Sequence, residues 1–412
     1  MNSEILVPVD DFPVLTNEVD GQRIIYMDSA ATTLKPKCVI DKICDYYTYN
    51  SSNIHRGKHR LSDSASNDYE ATRLTVANYF GVQANEIVFT SNATHALNLV
   101  ANGLCLAPDD LVLASQDSHH SQILPWRNSA KVELIRVLAN GRLDLEHFQA
   151  LLKRQPAVVA LTHCSNVTGA IHPIEEMVSM IREQTDAIIV LDAAQSAPHQ
   201  RLQLKALKVD FVAISGHKML CPSGVGFLYG PVDQLERLKP QQYGGGIVDW
   251  VDEQSHVLRR APYHLEAGTP AIASVIGARA AFDYLMRIDE NSRATHDAQL
   301  ADAMISGARQ RPYLQLIGPD STEARIATVS LKIVGAHSVG EFARLLSDSF
   351  GVMCRSGYMC SQPFVANIAG GEVLRASAYL YNTVTHVRQF YQAMDELAAC
   401  MGLVDLNEIT AD

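Results

Sequence analysis

The chain has no apolar run approaching the roughly 20 residues that a membrane-spanning helix requires. Met1 to Asp11 carries acidic residues and no basic stretch ahead of an apolar one, so a secretory signal is not expected. Basic residues are in the minority, 34 Lys and Arg against 45 Asp and Glu, giving a net charge of -11. That balance argues against nucleic acid or an anionic membrane as the main partner. None of the eight cysteines forms a CxxC pair or a Cys/His cluster with zinc-finger spacing, and no metal site is expected. Scattered, unpatterned cysteines suit a reduced, cytoplasmic protein. Asn92-Ala93-Thr94 and Asn166-Val167-Thr168 match glycosylation sequons and are expected to be chance. No internal repeat and no low-complexity tract is present.

What the chain does have is a large apolar fraction, 47% of 412 residues, enough for an extensive core in one large domain or two. Short apolar strands alternate with helical patterns between about residues 70 and 240. The expected strands are 87–90, 111–114, 132–135, 157–161, 187–191, 211–214 and 226–229, with helices through Leu97 to Val100 and Ile174 to Glu183. Continuous apolar strands separated by helices predict an α/β fold with a mostly parallel sheet covered on both faces. Ligands of such sheets bind beyond the carboxyl ends of the strands. Composition shifts at Gly244-Gly245-Gly246, and Asp249 to Pro262 reads as a polar excursion. A helix over about 271–288, a strand over 327–333, a helix over 339–350 and a last helix over 387–401 predict an α+β layout for the remainder.

Each expected strand end carries polar residues suited to one anionic, aromatic ligand. Ser215-Gly216-His217-Lys218 follows the apolar run Asp210 to Ile214. A desolvated lysine there can present a neutral amine to a carbonyl cofactor such as pyridoxal phosphate. A solvated surface lysine is the plain alternative. Ser91-Asn92-Ala93-Thr94 opens a helix, whose free N–H groups suit a phosphate, or are simply capped by Asn92 or Thr94. Asp117-Ser118-His119-His120 offers an imidazole for ring stacking or proton transfer, or a solvated loop histidine. Asn166 can bond a phenolic oxygen or serve a turn beside glycine. Asp192 can hold a pyridine nitrogen protonated, or cap a helix. Lys218 lies 26 residues after Asp192, one helical crossover away.

Together these motifs resemble a known family. The chain is similar to fold-type-I, class V aminotransferase-like enzymes, and among them to cysteine desulfurases of the Suf/Csd (group II) type. The resemblance spans nearly the whole chain. It rests on Met27 to Thr32, Asn53-Ile54-His55-Arg56-Gly57, His119-His120 with Leu124-Pro125-Trp126, Ser165 to Gly169, Asp192 to Gln195, Ser215 to Lys218, Gly224-Val225-Gly226, Leu265 to Pro270, Leu374 to Ser377 and Tyr381-Asn382-Thr383.

The resemblance implies a large pyridoxal-phosphate-binding domain over 21–275, and a small α+β domain from 1–20 with 276–412. It implies Lys218 as the Schiff-base lysine, Asp192 on the pyridine nitrogen, Gln195 and Asn166 on the phenolic oxygen, and His119 stacked on the ring. Ala93, Thr94, Ser215 and His217 would hold the phosphate. Thr269 would reach the phosphate of a neighbouring subunit, which implies a homodimer with shared sites. Arg375 with Asn166 would clamp the substrate carboxylate as a bidentate pair, and Ala30, His55 and Arg355 would also address the substrate.

Arg355-Ser356-Gly357-Tyr358-Met359-Cys360-Ser361-Gln362-Pro363 covers the position of the family's nucleophilic cysteine. Cys360 falls on it. It would take sulfur from L-cysteine as a persulfide, release L-alanine, and pass sulfur to an acceptor protein, as in iron–sulfur cluster assembly. Arg355 would favour its thiolate; a buried, inert cysteine is the plain alternative. Lys218 or His119 would move the substrate α-proton. Three departures from the family pattern, Ser118, His95 and Tyr358-Met359, leave the substrate open. Selenocysteine lyase and cysteine-conjugate C–S β-lyase are the rival activities on the same fold.

Overall fold

The computed structural model describes residues 5–19 and 21–404. Its centre is a seven-stranded sheet in the order 87–90, 226–229, 211–215, 188–192, 158–162, 111–115 and 131–135. Gly226–Tyr229 runs antiparallel to both its neighbours, and all other pairings are parallel. All seven expected strands are present, with ends shifted by no more than one residue.

Alternation along these strands explains why they read as unbroken apolar runs. Leu113, Leu161, Leu191 and Ile214 face one core, and Val112, Ala160, Val190 and Ala213 face a second core on the other side. Successive strand side chains point to opposite faces, so a sheet covered by helices on both sides must be apolar at every position. The helices Arg60–Phe80 and Ile272–Met286 cover the first face, and Ala93–Gly103 covers the second.

A four-stranded antiparallel sheet follows in the order 314–317, 328–333, 373–377 and 355–357. Glu290–Arg309, Val339–Phe350 and Val384–Cys400 pack on it around a separate core. The N-terminal segment divides differently from the expected boundary at residue 20. Val7 and Phe12 pack into the first core of the large sheet, where Phe12 meets the ring of Tyr381 edge-on. Ile25–Tyr26 instead pairs with Val352–Met353, and Met27 lies in the core of the small sheet. The boundary at 275 likewise falls inside Ile272–Met286, which packs on the large sheet as one helix. The excursion after Gly246 is an exposed hairpin, Val248–Val251 with His256–Leu258. Among the described residues no helix is long and apolar enough to cross a membrane, and all eight cysteines are unpaired.

Candidate active site

The carboxyl ends of the parallel strands open on a cavity of about 560 Å³ beside the small sheet. Ala30, Ala93, Thr94, His119, Asn166, Asp192, Gln195, Ser215, His217, Lys218, Arg355, Cys360 and Arg375 all line it. Residues spread over more than 340 positions of sequence therefore share one wall. Each large-sheet contribution follows the end of a strand, as the switch-point geometry of parallel sheets requires.

Lys218 stands in a short turn directly after Phe211–Ser215 and forms no hydrogen bond or ion pair among the described residues. Burial pulls its amine down to about 8, opposed by the Asp192 carboxylate and assisted by the Arg375 charge. Asp192, at the end of Ile188–Asp192, is buried; Oδ1 accepts the N–H of Ala194 at 2.9 Å. Desolvation raises its carboxyl above the ordinary range, and that bond and the Lys218 charge only partly offset the rise. Burial and nearby Lys218 hold His119 and His217 down at about 4, so both rings are neutral at pH 7. His119 Nδ1 accepts the N–H of Ser121 at 3.1 Å, which leaves Nε2 as the protonated nitrogen.

Asn92 caps Ala93–Gly103 by accepting the N–H of His95 at 2.9 Å, and Ala93 donates its N–H to Ser215 Oγ at 3.0 Å. The amide of Thr94 has no partner among the described residues, and its hydroxyl meets Ser121 Oγ at 2.7 Å. The segment is capped by Asn92, and its helix N-terminus lines the cavity. Gln195 Nε2 donates to the carbonyl of Ala30 at 2.9 Å.

Asn166 joins the cavity to the small sheet. Its Nδ2 donates to the carbonyl of Met359 at 2.7 Å, its own carbonyl accepts Nη1 of Arg375 at 2.9 Å, and its buried Oδ1 has no partner. Gly169 lets this loop approach: φ is +75°, and a Cβ would stand 2.7 Å from the carbonyl oxygen of Thr328. Arg375 is buried, with Nη2 3.3 Å from Asp28 and a buried, unpartnered Nε.

Met359 and Cys360 both adopt left-handed backbone conformations, φ +52° and +53°. Two successive non-glycine residues there are strained and persist only where surroundings fix them. The fixing bonds are Asn166 to Met359, the N–H of His120 to the carbonyl of Cys360 at 2.8 Å, and the N–H of Ser361 to Tyr358 at 2.9 Å. The Met359 side chain is buried against Phe364 and Val167, and Cys360 is exposed at the cavity wall, which excludes the buried-cysteine alternative.

Arg355 lines the cavity with its fork on Asp28, Nη2 at 2.9 Å. His55 lies outside this cavity, which corrects its expected place beside the substrate, and Thr269, expected to serve a neighbouring subunit, also lies outside it. They share a separate cavity of about 210 Å³, where His55 packs edge-on against Tyr69 and Tyr263 and stands 3.6 Å from Glu70. Ser118 and His95 are also outside the Lys218 cavity. Ser118 Oγ is buried between Ser115 Oγ at 2.7 Å and Thr162 Oγ1 at 2.8 Å, and His95 Nδ1 accepts the N–H of Ser91 at 3.1 Å. Sequence reading missed Asp28, although it stands within the quoted Met27–Thr32 motif. Asp is the natural counter-charge for paired guanidiniums, but only the fold brings Arg355 and Arg375 to it.

The Aminotransferase class-V family matches residues 25–390. A protein named probable cysteine desulfurase from Chlamydia muridarum is 38% identical over 397 residues, covering 94% of this chain and 98% of that one. Another of that name from Synechocystis is 36% identical over 394 residues, 93% of each. Among solved structures, the apo cysteine desulfurase of Thermococcus onnurineus superposes with a TM-score of 0.90 at 34% identity, covering 97% of this chain and 99% of that one. The S-sulfonic acid form of the cysteine desulfurase CsdA from Escherichia coli superposes with a TM-score of 0.85 at 31% identity, covering 96% and 98%. The chain belongs to the class-V aminotransferase family, among the cysteine desulfurases.

Proposed function

We propose that the chain is a pyridoxal-phosphate-dependent cysteine desulfurase that converts L-cysteine to L-alanine, with sulfur held as a persulfide on Cys360. The residues present fit the cofactor: an unbonded, desolvated Lys218, a buried Asp192, the unpartnered Oδ1 of Asn166 and a helix N-terminus beside Ser215. Lys218 would bind the aldehyde carbon, Asp192 the ring nitrogen, Asn166 and Gln195 the phenolic oxygen. Ala93, Thr94, Ser215 and His217 would hold the phosphate, with His119 against the ring. When bound, the cofactor withdraws electrons from the substrate α-carbon.

The chain's own residues do the rest. Arg375, through its unpartnered Nε and the Nη2 that meets Asp28 at 3.3 Å, would fix the substrate carboxylate. Lys218, the stronger base at about 8 against about 4 for His119, would move the α-proton through Nζ. Cys360 Sγ, as thiolate, would attack the substrate sulfur. An S–S bond forms, the C–S bond breaks, and its electron pair stays with the three-carbon product, which gains a proton and leaves as L-alanine. From its exposed position the persulfide would pass to an acceptor thiol in a reducing, cytoplasmic setting. His55 and Thr269, turned away from their own chain's cavity, would complete the site of a second subunit in a homodimer.

The observation that carries this reading is Cys360, exposed and held in a strained turn on the same wall as Lys218 and Arg375. Replacing it tests the reading. Cys360→Ser should keep the bound-cofactor absorption and lose sulfur transfer from L-cysteine by at least about 100-fold, since a hydroxyl is not an effective nucleophile at neutral pH. Sulfide released with pyruvate and ammonia in place of alanine, and undiminished in Cys360→Ser, would instead favour a β-eliminating lyase.

A further inference from the structure

A single carbonyl oxygen, that of His217, collects an unusual number of donors immediately before Lys218. The N–H of Thr33 lies 3.1 Å away, and the hydroxyls of Thr32 and Thr33 each donate at 3.1 Å. The ammonium of Lys35 donates at 2.7 Å and spends a second 2.7 Å bond on the carbonyl of Thr33. A carbonyl has two lone pairs, so four donors hold it from every open side. Lys35 has no carboxylate within ion-pairing distance among the described residues, and burial lowers its amine to about 8. Burying an unpaired ammonium is costly unless its hydrogen bonds are needed where they are.

The same turn grips the chain after Lys218. Thr33 Oγ1 accepts the N–H of Leu220 at 3.0 Å. Leu220 is fully buried and has φ +61°, a left-handed conformation that a leucine adopts only when its surroundings impose it. The other end of the segment is tied to the strand of Arg375. Ser29 donates its N–H to the Ser377 carbonyl at 3.2 Å, and Ala30 donates its own to Ser377 Oγ at 2.8 Å. Residues 28–35 thus form one brace between the arginine and the lysine of the cavity.

We propose that Lys35 is a positioning residue that fixes the backbone of the Lys218 turn through the His217 carbonyl. The four-carbon side chain of Lys218 is flexible, and it must leave the cofactor aldehyde and return to it in every cycle. Only a fixed Cα brings Nζ back to the same point, and misplacement by an ångström can cost about 100-fold in rate. The inference rests on the assignment of Lys218 as the cofactor lysine.

The test uses the full-length chain, stripped of cofactor and recombined with pyridoxal phosphate. The measurements are the rate of cofactor capture, and the fraction of chains whose Lys218 is labelled after borohydride reduction and peptide mass spectrometry. Lys35→Met should keep its circular dichroism, capture cofactor at least about tenfold more slowly and label Lys218 incompletely. Lys35→Arg, which can donate to the same two carbonyls, should return to within about threefold of wild type. A purely structural role would lower the unfolding temperature of Lys35→Met and leave capture and labelling at wild-type levels, and that result overturns the proposal. If Lys35→Met does not fold, Thr33→Val takes its place. It removes a donor to His217 and the acceptor for Leu220 at constant shape, and wild-type capture in that variant also overturns the proposal. A wild-type chain that takes up no pyridoxal phosphate would sink the cofactor assignment and this inference with it. Uptake by wild type and equal uptake by the variants sinks the inference alone.

Discussion

Capture of pyridoxal phosphate by the apoprotein reads Lys218 through pH alone. An ordinary lysine of pKa 10.5 is about 0.03% neutral at pH 7, whereas one at about 8 is about 9% neutral, roughly a 300-fold gain in the reactive amine. Burial is the main cause, and Asp192 works against it. The capture rate, followed by stopped-flow absorbance, should therefore rise about fivefold from pH 7 to 8 and level off, gaining only about a further twofold, above it. Working between pH 7 and 10 keeps the cofactor phosphate, whose second pKa is about 6, in one charge state. Asp192→Asn separates the effects. Removing the carboxylate takes away the term that raises the lysine, so the midpoint should move to lower pH. Catalytic turnover should fall all the same, because the ring nitrogen loses its counter-charge. A capture rate that climbs at unit slope to pH 10 would refute the claim that the cavity desolvates this amine.

Arg375→Lys keeps a cation but loses the planar fork and the bond to the Asn166 carbonyl. Losing one charge-assisted bond should cut kcat/KM for L-cysteine by about 10- to 100-fold in steady-state assays; a change under threefold would remove Arg375 from the carboxylate role. Met359→Gly pits strain against packing. Glycine relieves about 1 kcal/mol at φ +52°, but deleting a buried methionine side chain beside Phe364 and Val167 costs about 2–5 kcal/mol, so thermal denaturation should show a net loss. A stabilised variant would mean that the strain is the larger quantity.

The large sheet was legible because its strands are buried on both faces and so read as apolar at each position, with helices between them. Arg60–Phe80 and Glu290–Arg309 were not legible. They bury polar residues such as Arg73, Arg293 and His296, which blurs the apolar stripe. Arg73 survives burial because Glu266, 193 positions away, forks onto it at 2.6 and 2.9 Å, with Glu70 joining at 2.9 Å. The cofactor residues could be found individually since each follows a strand. The pairing of Asp28 with two arginines and the hold of Lys35 on His217 depend on approaches across the fold, and no local pattern marks them.

The departures at Ser118 and His95 lose their weight once placed, since neither side chain lines the cavity. The charges that do line it explain what the site selects. Lys218, Arg355 and Arg375 face Asp192 and Glu372, and Asp28 from behind compensates Arg355 and part of Arg375. On the proposed assignment the phosphate would lie beside His217, whose ring is neutral at pH 7. A dianion there would be held by the N-terminus of Ala93–Gly103 and by hydroxyls, by direction more than by charge. The cations lie elsewhere on the lining, where Arg375 would meet the substrate carboxylate on the proposed assignment. That division would keep the substrate carboxylate away from the groups proposed to hold the cofactor phosphate. It would leave Cys360, in its strained turn, as the residue that decides which bond of the substrate amino acid is broken.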